Sequence, residues 1–299
     1  MAQKYEAQQK QGYCERQEKR YDRMSRYSLD EDNQRIYGAR AKEWNNKAEE
    51  FKKAVESFEK PDKKAVETVE KSGESGIIKE TERALSFRDM NNAMEYAADK
   101  LSLSADDISA LSMERVTAIL SSVRDLYREI PTLNGFIDDI VLTDMNEIAK
   151  ATLRWSEGKP RVLLKLSKGI FKDMSLSEIN TFIDDCVDSN TFSSKSGLYG
   201  VFKHEFGHFG EYKHTLKRYN YSEDNVRESL GKYEFAKEIK ELALKKCNLI
   251  NSDEVVRSYL SDYACQNPAE FIAEAYSCTD SNNVLANEVK RLLRRKWGI

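Results

Sequence analysis

The sequence contains few of the residues that mark several large classes of protein. Its 299 residues include only four prolines, three histidines and five cysteines. An odd number of scattered cysteines with no Cys-x-x-Cys pair predicts free thiols in a reducing compartment rather than a disulfide framework. The longest apolar runs, such as VLLKL at 162–166, are too short to span a bilayer. The first residues, MAQKYEAQQKQ, lack the apolar segment of a secretory signal. We therefore expect no membrane partner.

Charges of the two signs are nearly balanced. Lys and Arg number 48 and Asp and Glu number 51, so the formal net charge at pH 7 is -3. Proteins that bind nucleic acid usually carry an excess of basic residues that offsets the phosphate charge. Because this chain has no such excess, we expect no nucleic-acid partner.

The amino-terminal region carries a heptad pattern. Its members follow one another at spacings of four and three, which predicts a coiled-coil-like helix: Tyr37, Ala41, Trp44, Ala48, Phe51, Val55 and Phe58. The capping-box sequence SLDE at 28–31 would start this helix, and Pro61 lies just past its end. We predict a helical hairpin or arm over residues 1–70, a linker at KSGESG (71–76) and a second domain over 77–299.

The predicted secondary structure of the second domain changes along the chain. Helical periodicity over 87–101 and 105–130 precedes three β-like segments at 136–143, 147–155 and 160–167. The remainder, from Ser175 onward, is again mostly helical in pattern. This order predicts an α+β fold with a small sheet.

Two of the three histidines belong to the sequence HEFGH, which begins at His204. On a helix, His204 and His208 lie one turn apart on the same face, so both imidazoles can reach one metal ion. Glu205 is rotated by about 100° from His204, close enough to reach a metal-bound water without being a ligand. This spacing predicts a zinc site with a general base beside it.

The third ligand has two candidates in the sequence, and His214 is the first. It stands ten residues after His204, at the metzincin spacing. However, Gly210 comes one place early, Glu211 occupies the glycine position, and no methionine follows Met174 to form a methionine turn. We expect His214 to be a surface or rim residue.

The second candidate is Glu270, in the sequence NPAEFIAEAYS (267–277). Asn267 is suited to cap a helix, and Glu270 at its third position could be a simple capping residue. The rest of this helix is apolar except for Glu274 and Ser277, which share a stripe with Glu270. Two carboxylates on a buried helix need a cation opposite them. We therefore predict Glu270 as the ligand and Glu274 as the acceptor that orients one of the histidines.

The two motifs together, HEFGH and NPAEFIAEAY, resemble the catalytic domain of anthrax toxin lethal factor and the wider group of lethal-factor-like zinc metallopeptidases. This resemblance implies a zincin-like domain of gluzincin type. It implies zinc ligands at His204, His208 and Glu270, a general base at Glu205, and an oxyanion-stabilising tyrosine at Tyr263. An alternative for Tyr263 is simple packing in the core.

In the family, the substrate peptide lies antiparallel to an edge strand, for which PRVLLKLS (160–167) is the candidate here. The polar, tyrosine-rich arm resembles the helical tail of phage minor capsid proteins. This second resemblance implies phage head proteins as possible partners. It also implies a phage- or prophage-encoded protein that is cytoplasmic in a bacterium or associated with the virion.

The sequence thus predicts a zinc-dependent metalloendopeptidase that hydrolyses peptide bonds by glutamate-assisted attack of zinc-bound water, with a protein or peptide as substrate. The alternative is a minor capsid protein whose zincin fold binds zinc without physiological cleavage. An effector that acts on host proteins would share the chemistry and differ in its target. An intact Glu205 favours the enzyme, because a structural zinc site has no use for a general base.

Overall fold

The computed structural model describes Glu18 and residues 31–57, 85–188, 190, 192–193 and 196–298. This part of the chain is mostly helical and contains a small mixed sheet of three strands. The predicted α+β class is therefore confirmed. The predicted capping residue Ser28, the seam residue Phe58 and the linker at 71–76 lie outside the described residues.

Apart from Glu18, the described part of the predicted arm is one long helix, α1 (Glu31–Ser57). Ala41 and Ala48 of the predicted seam are buried, and Ala41 belongs to the hydrophobic core cluster. The side chains of the other seam residues before Phe58 lie outside the described part: Tyr37, Trp44, Phe51 and Val55.

The region before the sheet contains two helices and two 3-10 turns: α2 (Met90–Leu101), a turn at Asp106–Ala110, α3 (Met113–Glu129) and a turn at Pro131–Leu133. Residues 105–130 carried one predicted helical pattern, but the structure divides it. Leu111 and Ser112 have extended backbone with ψ of 168° and 151°, so the 3-10 turn ends there and α3 begins afresh after Ser112.

The sheet consists of β1 (Asp139–Thr143), β2 (Ala149–Ser156) and β3 (Lys159–Ser167). β2 and β3 form an antiparallel hairpin, while β1 pairs with β3 in parallel, giving the order β1-β3-β2. Glu157 and Gly158 form the hairpin turn with φ of 53° and 73°, as expected for two-residue hairpin loops.

The prediction of 160–167 as the substrate-binding edge strand is wrong. β3 is hydrogen-bonded on both sides and occupies the centre of the sheet. Its run of Val162, Leu163 and Leu164 is buried on both faces, which is typical of a central strand. Within the described residues, β2 is the edge strand that faces the helical half of the domain.

The region after the sheet is helical: α4 (Lys168–Asp173), α5 (Leu176–Asp188), α6 (Gly197–Arg218), α7 (Glu223–Gly231), α8 (Glu234–Lys246), α9 (Asp253–Tyr259), a 3-10 turn (Tyr263–Cys265), α10 (Pro268–Ser277) and α11 (Val284–Trp297). α6 is the central element, because it contacts β2 on one side and α3, α5 and α10 on the others.

Helices α6 and α10 cross with almost no space between their backbones. A Cβ atom placed on Gly207 would lie 2.8 Å from the Cα atom of Ala273, closer than side-chain carbons normally approach. Gly207 therefore allows the two helices to touch between the two histidines of α6. This contact brings the acidic face of α10 within reach of those histidines.

No helix among the described residues is both long enough and apolar enough to cross a membrane.

Candidate metal centre

His204, His208 and Glu270 converge at the crossing of α6 and α10. The Nε2 atom of His204 lies 2.9 Å from Oε2 of Glu270, and the Nε2 atom of His208 lies 3.3 Å from the same oxygen. The two Nε2 atoms are 3.2 Å apart, and the three potential ligand atoms lie within 4.8 Å of one another. Two imidazoles and one carboxylate in this arrangement could bind a metal ion.

The electrostatics of this group fit a cation. Burial alone would lower the pKa of His204, but its hydrogen bonds to Glu270 and Glu274 outweigh burial and raise that pKa well above the ordinary value. Burial would raise the pKa of Glu270, but the two histidines hold it well below its usual range. The carboxylates on both sides of the imidazole therefore favour a positive charge between them. A metal cation bound by the imidazole nitrogens and Glu270 would supply that charge.

The sequence left two roles open for Glu270, a capping residue of its helix or a metal ligand. Its backbone N–H donates to Oδ1 of Asn267 at 3.0 Å, so Asn267 caps α10 as predicted. In a capping box the side chain of Glu270 would return to the backbone of Asn267. Here the carboxylate instead faces His204 and His208.

Glu274 occupies the position behind His204. Its Oε1 atom lies 2.8 Å from Nδ1 of His204. Its Oε2 atom accepts hydrogen bonds from the backbone N–H of Ser193 at 2.8 Å and from the hydroxyl of Ser261 at 2.6 Å. Glu274 is thus almost wholly buried, with both oxygens hydrogen-bonded, and it faces His204 from the side opposite the metal-ligand atom.

Glu205 links α6 to the edge strand β2. Its Oε2 atom accepts a hydrogen bond from the backbone N–H of Ala151 at 2.5 Å, and the hydroxyl of Tyr212 donates to the carbonyl of Ala151 at 3.3 Å. The backbone polar groups of Ala151 therefore point away from β3 and towards the site. Burial raises the pKa of Glu205, while the charges of His204 and His208 oppose that rise.

Tyr263 lies beside His204. Its ring centroid is 5.6 Å from that of His204 and 5.5 Å from that of Phe192. The side chain is half-buried, and no described residue forms a hydrogen bond with its hydroxyl. Burial and the charge of Glu270 raise the pKa of Tyr263, so the hydroxyl keeps its proton and can act as a donor.

His214 lies outside the metal-ligand group. Its ring packs on Phe235 with centroids 4.4 Å apart, and it is half-buried. Burial lowers the pKa of His214, and the charges of Lys296 and Arg218 lower it further. His214 therefore contributes to packing around the carboxyl-terminal half of α6.

Two cavities meet at the centre, and both are lined by His204, Glu205 and Tyr263. The second is also lined by His208 and Glu270, so it includes the metal-ligand group itself. We call the first the apolar cavity. It measures about 230 Å³, and its walls include Phe182, Ile183, Phe192 and Val201. We call the second the acidic cavity. It measures about 280 Å³, and its walls include Glu147, Glu211 and Glu270 together with Leu153 and Tyr212.

Several residues of this site were not predicted as parts of it. Ser193 and Ser261 reach Glu274 from loops, and no local pattern marks them. Tyr212 and Glu211 lie on α6, where Glu211 is three residues after His208. Helical spacing alone would have placed Glu211 near the face that carries His208.

Comparison of the chain with protein-family models, with curated proteins and with solved structures finds no significant match.

Proposed function

We propose that this protein is a zinc-dependent metalloendopeptidase of gluzincin type, with a zincin-like fold related to the lethal-factor-like group. One observation carries the proposal: three potential ligands, His204, His208 and Glu270, meet within 4.8 Å at a cleft where Glu205 is also buried. Two imidazoles and one carboxylate are the ligand set of many catalytic zinc sites. Structural zinc sites usually have four protein ligands, frequently cysteines.

The zinc ion and the side chains of the protein would supply different parts of the reaction. When bound, zinc lowers the pKa of a coordinated water and polarises the substrate carbonyl. Glu205 would accept the proton of the attacking water and later deliver it to the leaving amine. Its burial and its hydrogen bond from the N–H of Ala151 hold the carboxylate beside the ligand group, where this exchange would occur. Tyr263 would donate a hydrogen bond to the carbonyl oxygen as negative charge develops on it.

The edge strand β2 would bind the substrate backbone. A peptide added to a sheet edge gains main-chain hydrogen bonds, and β2 is an edge strand that runs past Glu205. The backbone of Ala151 is already hydrogen-bonded to Glu205 and Tyr212, so the substrate would pair with its neighbours on the strand. A substrate strand antiparallel to β2 would place its scissile bond beside His204 and Glu205. A protein or peptide segment in extended conformation is therefore the proposed substrate.

The rival proposal is a phage minor capsid protein that binds zinc through the same three residues and cleaves nothing. Glu205 distinguishes the two functions, since zinc retention does not require it. The test compares cleavage products of a proteome-derived peptide library after incubation with the zinc-loaded wild type and with Glu205→Gln. We expect cleavage by the wild type and a loss of about 10²–10⁴-fold in the variant, with zinc content unchanged. Equal product levels would support the structural protein.

A further inference from the structure

A third cavity, of about 800 Å³, is formed by α6, the segment that follows α10, and α11. All of its charged lining residues are basic: Lys203, Lys290, Arg291, Arg294 and Arg295. We call it the basic cavity. None of these five residues lines either cavity at the metal centre. The basic cavity is therefore a separate feature of the domain, and the proposed peptidase chemistry does not use it.

Two of the basic residues already have acidic partners outside the cavity. The Nζ atom of Lys203 lies 2.8 Å from Oε1 of Glu129. Arg291 pairs with Glu288 through two contacts, of 2.6 and 2.7 Å. These two pairs leave little positive charge from Lys203 and Arg291 for a ligand.

The other three basic residues lack such partners. No described residue forms an ion pair with Lys290, Arg294 or Arg295. Among the described residues, no Asp or Glu lines the cavity either. The basic cavity therefore contains three positive charges that the described part of the chain leaves unpaired.

The helix dipole accounts for only part of this charge. Arg294 and Arg295 lie in the last turn of α11, where cations interact favourably with the carboxyl end of a helix. Lys290 lies nearer the middle of α11, and the effect of the dipole is confined to the last turn. Lys290 and Arg294 also lie one turn apart on the same helix face, a spacing at which like charges destabilise a helix.

The environment of Lys290 indicates repulsion inside the cavity. The side chain is half-buried, and its Nζ atom donates a hydrogen bond to the carbonyl of Cys278. Burial lowers the pKa of Lys290, and the charges of Lys203 and Arg294 lower it further, although Cys278 and Glu129 oppose them. An anion placed among these cations would offset their repulsion.

We propose that the basic cavity binds a compact polyphosphate, a ligand with two or more phosphate groups. Each phosphate group carries about 1.5–2 negative charges at pH 7, so two groups match the three unpaired cations. Arginine suits this ligand, because its guanidinium can donate two parallel hydrogen bonds to one phosphate. The volume of about 800 Å³ falls within the range for small-molecule sites, roughly 300–1,000 Å³. The inference is independent of zinc binding and of peptide cleavage.

The charge of the whole chain favours a compact ligand over a nucleic acid. The formal net charge is -3, so the basic cavity is a local exception. Charges are largely screened beyond about 8 Å at physiological ionic strength. A ligand that fits the cavity therefore interacts mainly with its cations. A nucleic acid backbone would extend over a surface that has no overall excess of basic residues.

Calorimetric titration of the full chain with sodium tripolyphosphate, at an ionic strength of about 0.15 M, tests the proposal. We expect one tripolyphosphate to bind per chain, and inorganic phosphate to bind more weakly. Arg294→Gln should weaken tripolyphosphate binding by about tenfold or more, the factor expected for one charge-assisted hydrogen bond. Arg295→Gln, at a second exposed position, should act in the same direction. Elemental analysis before and after titration checks that the polyphosphate removes no metal.

Lys296→Gln is the matched control. It removes the same charge from the same helix, but Lys296 does not line the basic cavity. We expect it to change the affinity for tripolyphosphate by about twofold or less, because the remaining effect is a screened one.

The outcomes also identify the source of the phosphate. Vesicles of phosphatidylcholine with and without a phosphoinositide are cosedimented with the wild type and with Arg294→Gln. Tripolyphosphate binding together with phosphoinositide binding that depends on Arg294 would assign a lipid headgroup. Tripolyphosphate binding alone would assign a soluble ligand.

Four results would overturn the proposal. They are the absence of tripolyphosphate binding, binding that neither arginine variant changes, equal weakening by Arg294→Gln and Lys296→Gln, and duplex DNA that binds more tightly than tripolyphosphate.

Discussion

The Nδ1 atom of His204 lies 2.8 Å from Oε1 of Glu274, while the Nε2 atom of the same ring faces Glu270 and His208. A carboxylate at Nδ1 fixes the tautomer that carries hydrogen there, which leaves the lone pair of Nε2 free for a metal. Glu274 is in turn fixed by Ser193 and Ser261. The orientation of one potential metal ligand is thus set by residues from three separate segments.

Glu274→Gln should weaken zinc binding by about 10–100-fold, the usual effect of losing such a supporting carboxylate. Glutamine retains the size of the side chain but removes its charge. Competition with a chromophoric chelator measures the affinity. Glu241→Gln, on the exposed face of α8, is the matched control. Unchanged affinity in Glu274→Gln would mean that the bond to His204 does not orient the ring.

His208→Ala and Glu270→Ala should each lose bound zinc, because either change leaves only two protein ligands. His214→Ala should retain it, since His214 packs on Phe235 away from the group. Elemental analysis of the purified proteins after dialysis gives the metal content per chain. Loss of zinc from His214→Ala alone would contradict the gluzincin ligand set.

Tyr263→Phe should lower kcat by about 10²-fold or more, by analogy with the loss of one oxyanion donor. KM, zinc content and thermal stability should change little, because phenylalanine keeps the ring that packs against Phe192 and His204. Steady-state kinetics and thermal unfolding measure the two effects. A variant with normal turnover, or one that mainly loses stability, would assign Tyr263 to packing.

Glu129 should stabilise the fold in a pH-dependent way. Its carboxylate contacts Lys203 at 2.8 Å and accepts hydrogen bonds from the hydroxyls of Tyr199 and Tyr276, both at 3.1 Å. Burial would raise the pKa of Glu129, but these partners outweigh it and lower the pKa below its ordinary value of 4.5. The stabilisation is therefore complete above about pH 4.5 and is lost as the pH falls through the lower, folded-state pKa.

Glu129→Gln should accordingly reduce the free energy of unfolding by about 1–3 kcal/mol at pH 7, and the difference from the wild type should shrink below pH 4.5. Urea denaturation measures this difference in the free energy of unfolding. A chelator is present so that the pH dependence of metal binding does not contribute. Glu238→Gln, which removes a partly exposed partner of Lys296 and Arg218, should change stability by less than about 1 kcal/mol at every pH. A constant difference across the pH range would show that Glu129 acts by packing alone.

The sequence predicted those parts of the site that depend on local periodicity. His204, Glu205 and His208 lie within two turns of one helix, so their relative directions follow from helical geometry alone. Glu270 and Glu274 were found in the same way, because they are the acidic residues of a helix that is otherwise apolar. Both helices are present, and their acidic and imidazole faces meet at Gly207 and Ala273.

Features that depend on tertiary pairing were predicted poorly. The apolar run in β3 was compatible with either an edge or a central strand, and only the parallel pairing with β1 places it at the centre. Ser193 and Ser261 approach Glu274 from 81 and 13 residues away, a separation at which no spacing rule operates. The identity of the strand beside Glu205 was likewise decided by packing of α6 on β2.

The separation of His204 and Glu270 by 66 residues along the chain has a consequence for how long the folded protein survives. An ion held by both residues would act as a removable cross-link between α6 and α10, and cross-links that close long loops restrict the unfolded chain most. At a free zinc concentration of 1,000 times Kd, binding to the folded state alone adds about 4 kcal/mol of stability. Resistance to unfolding and to proteolysis would then follow the zinc supply, so metal depletion would shorten the lifetime of the protein.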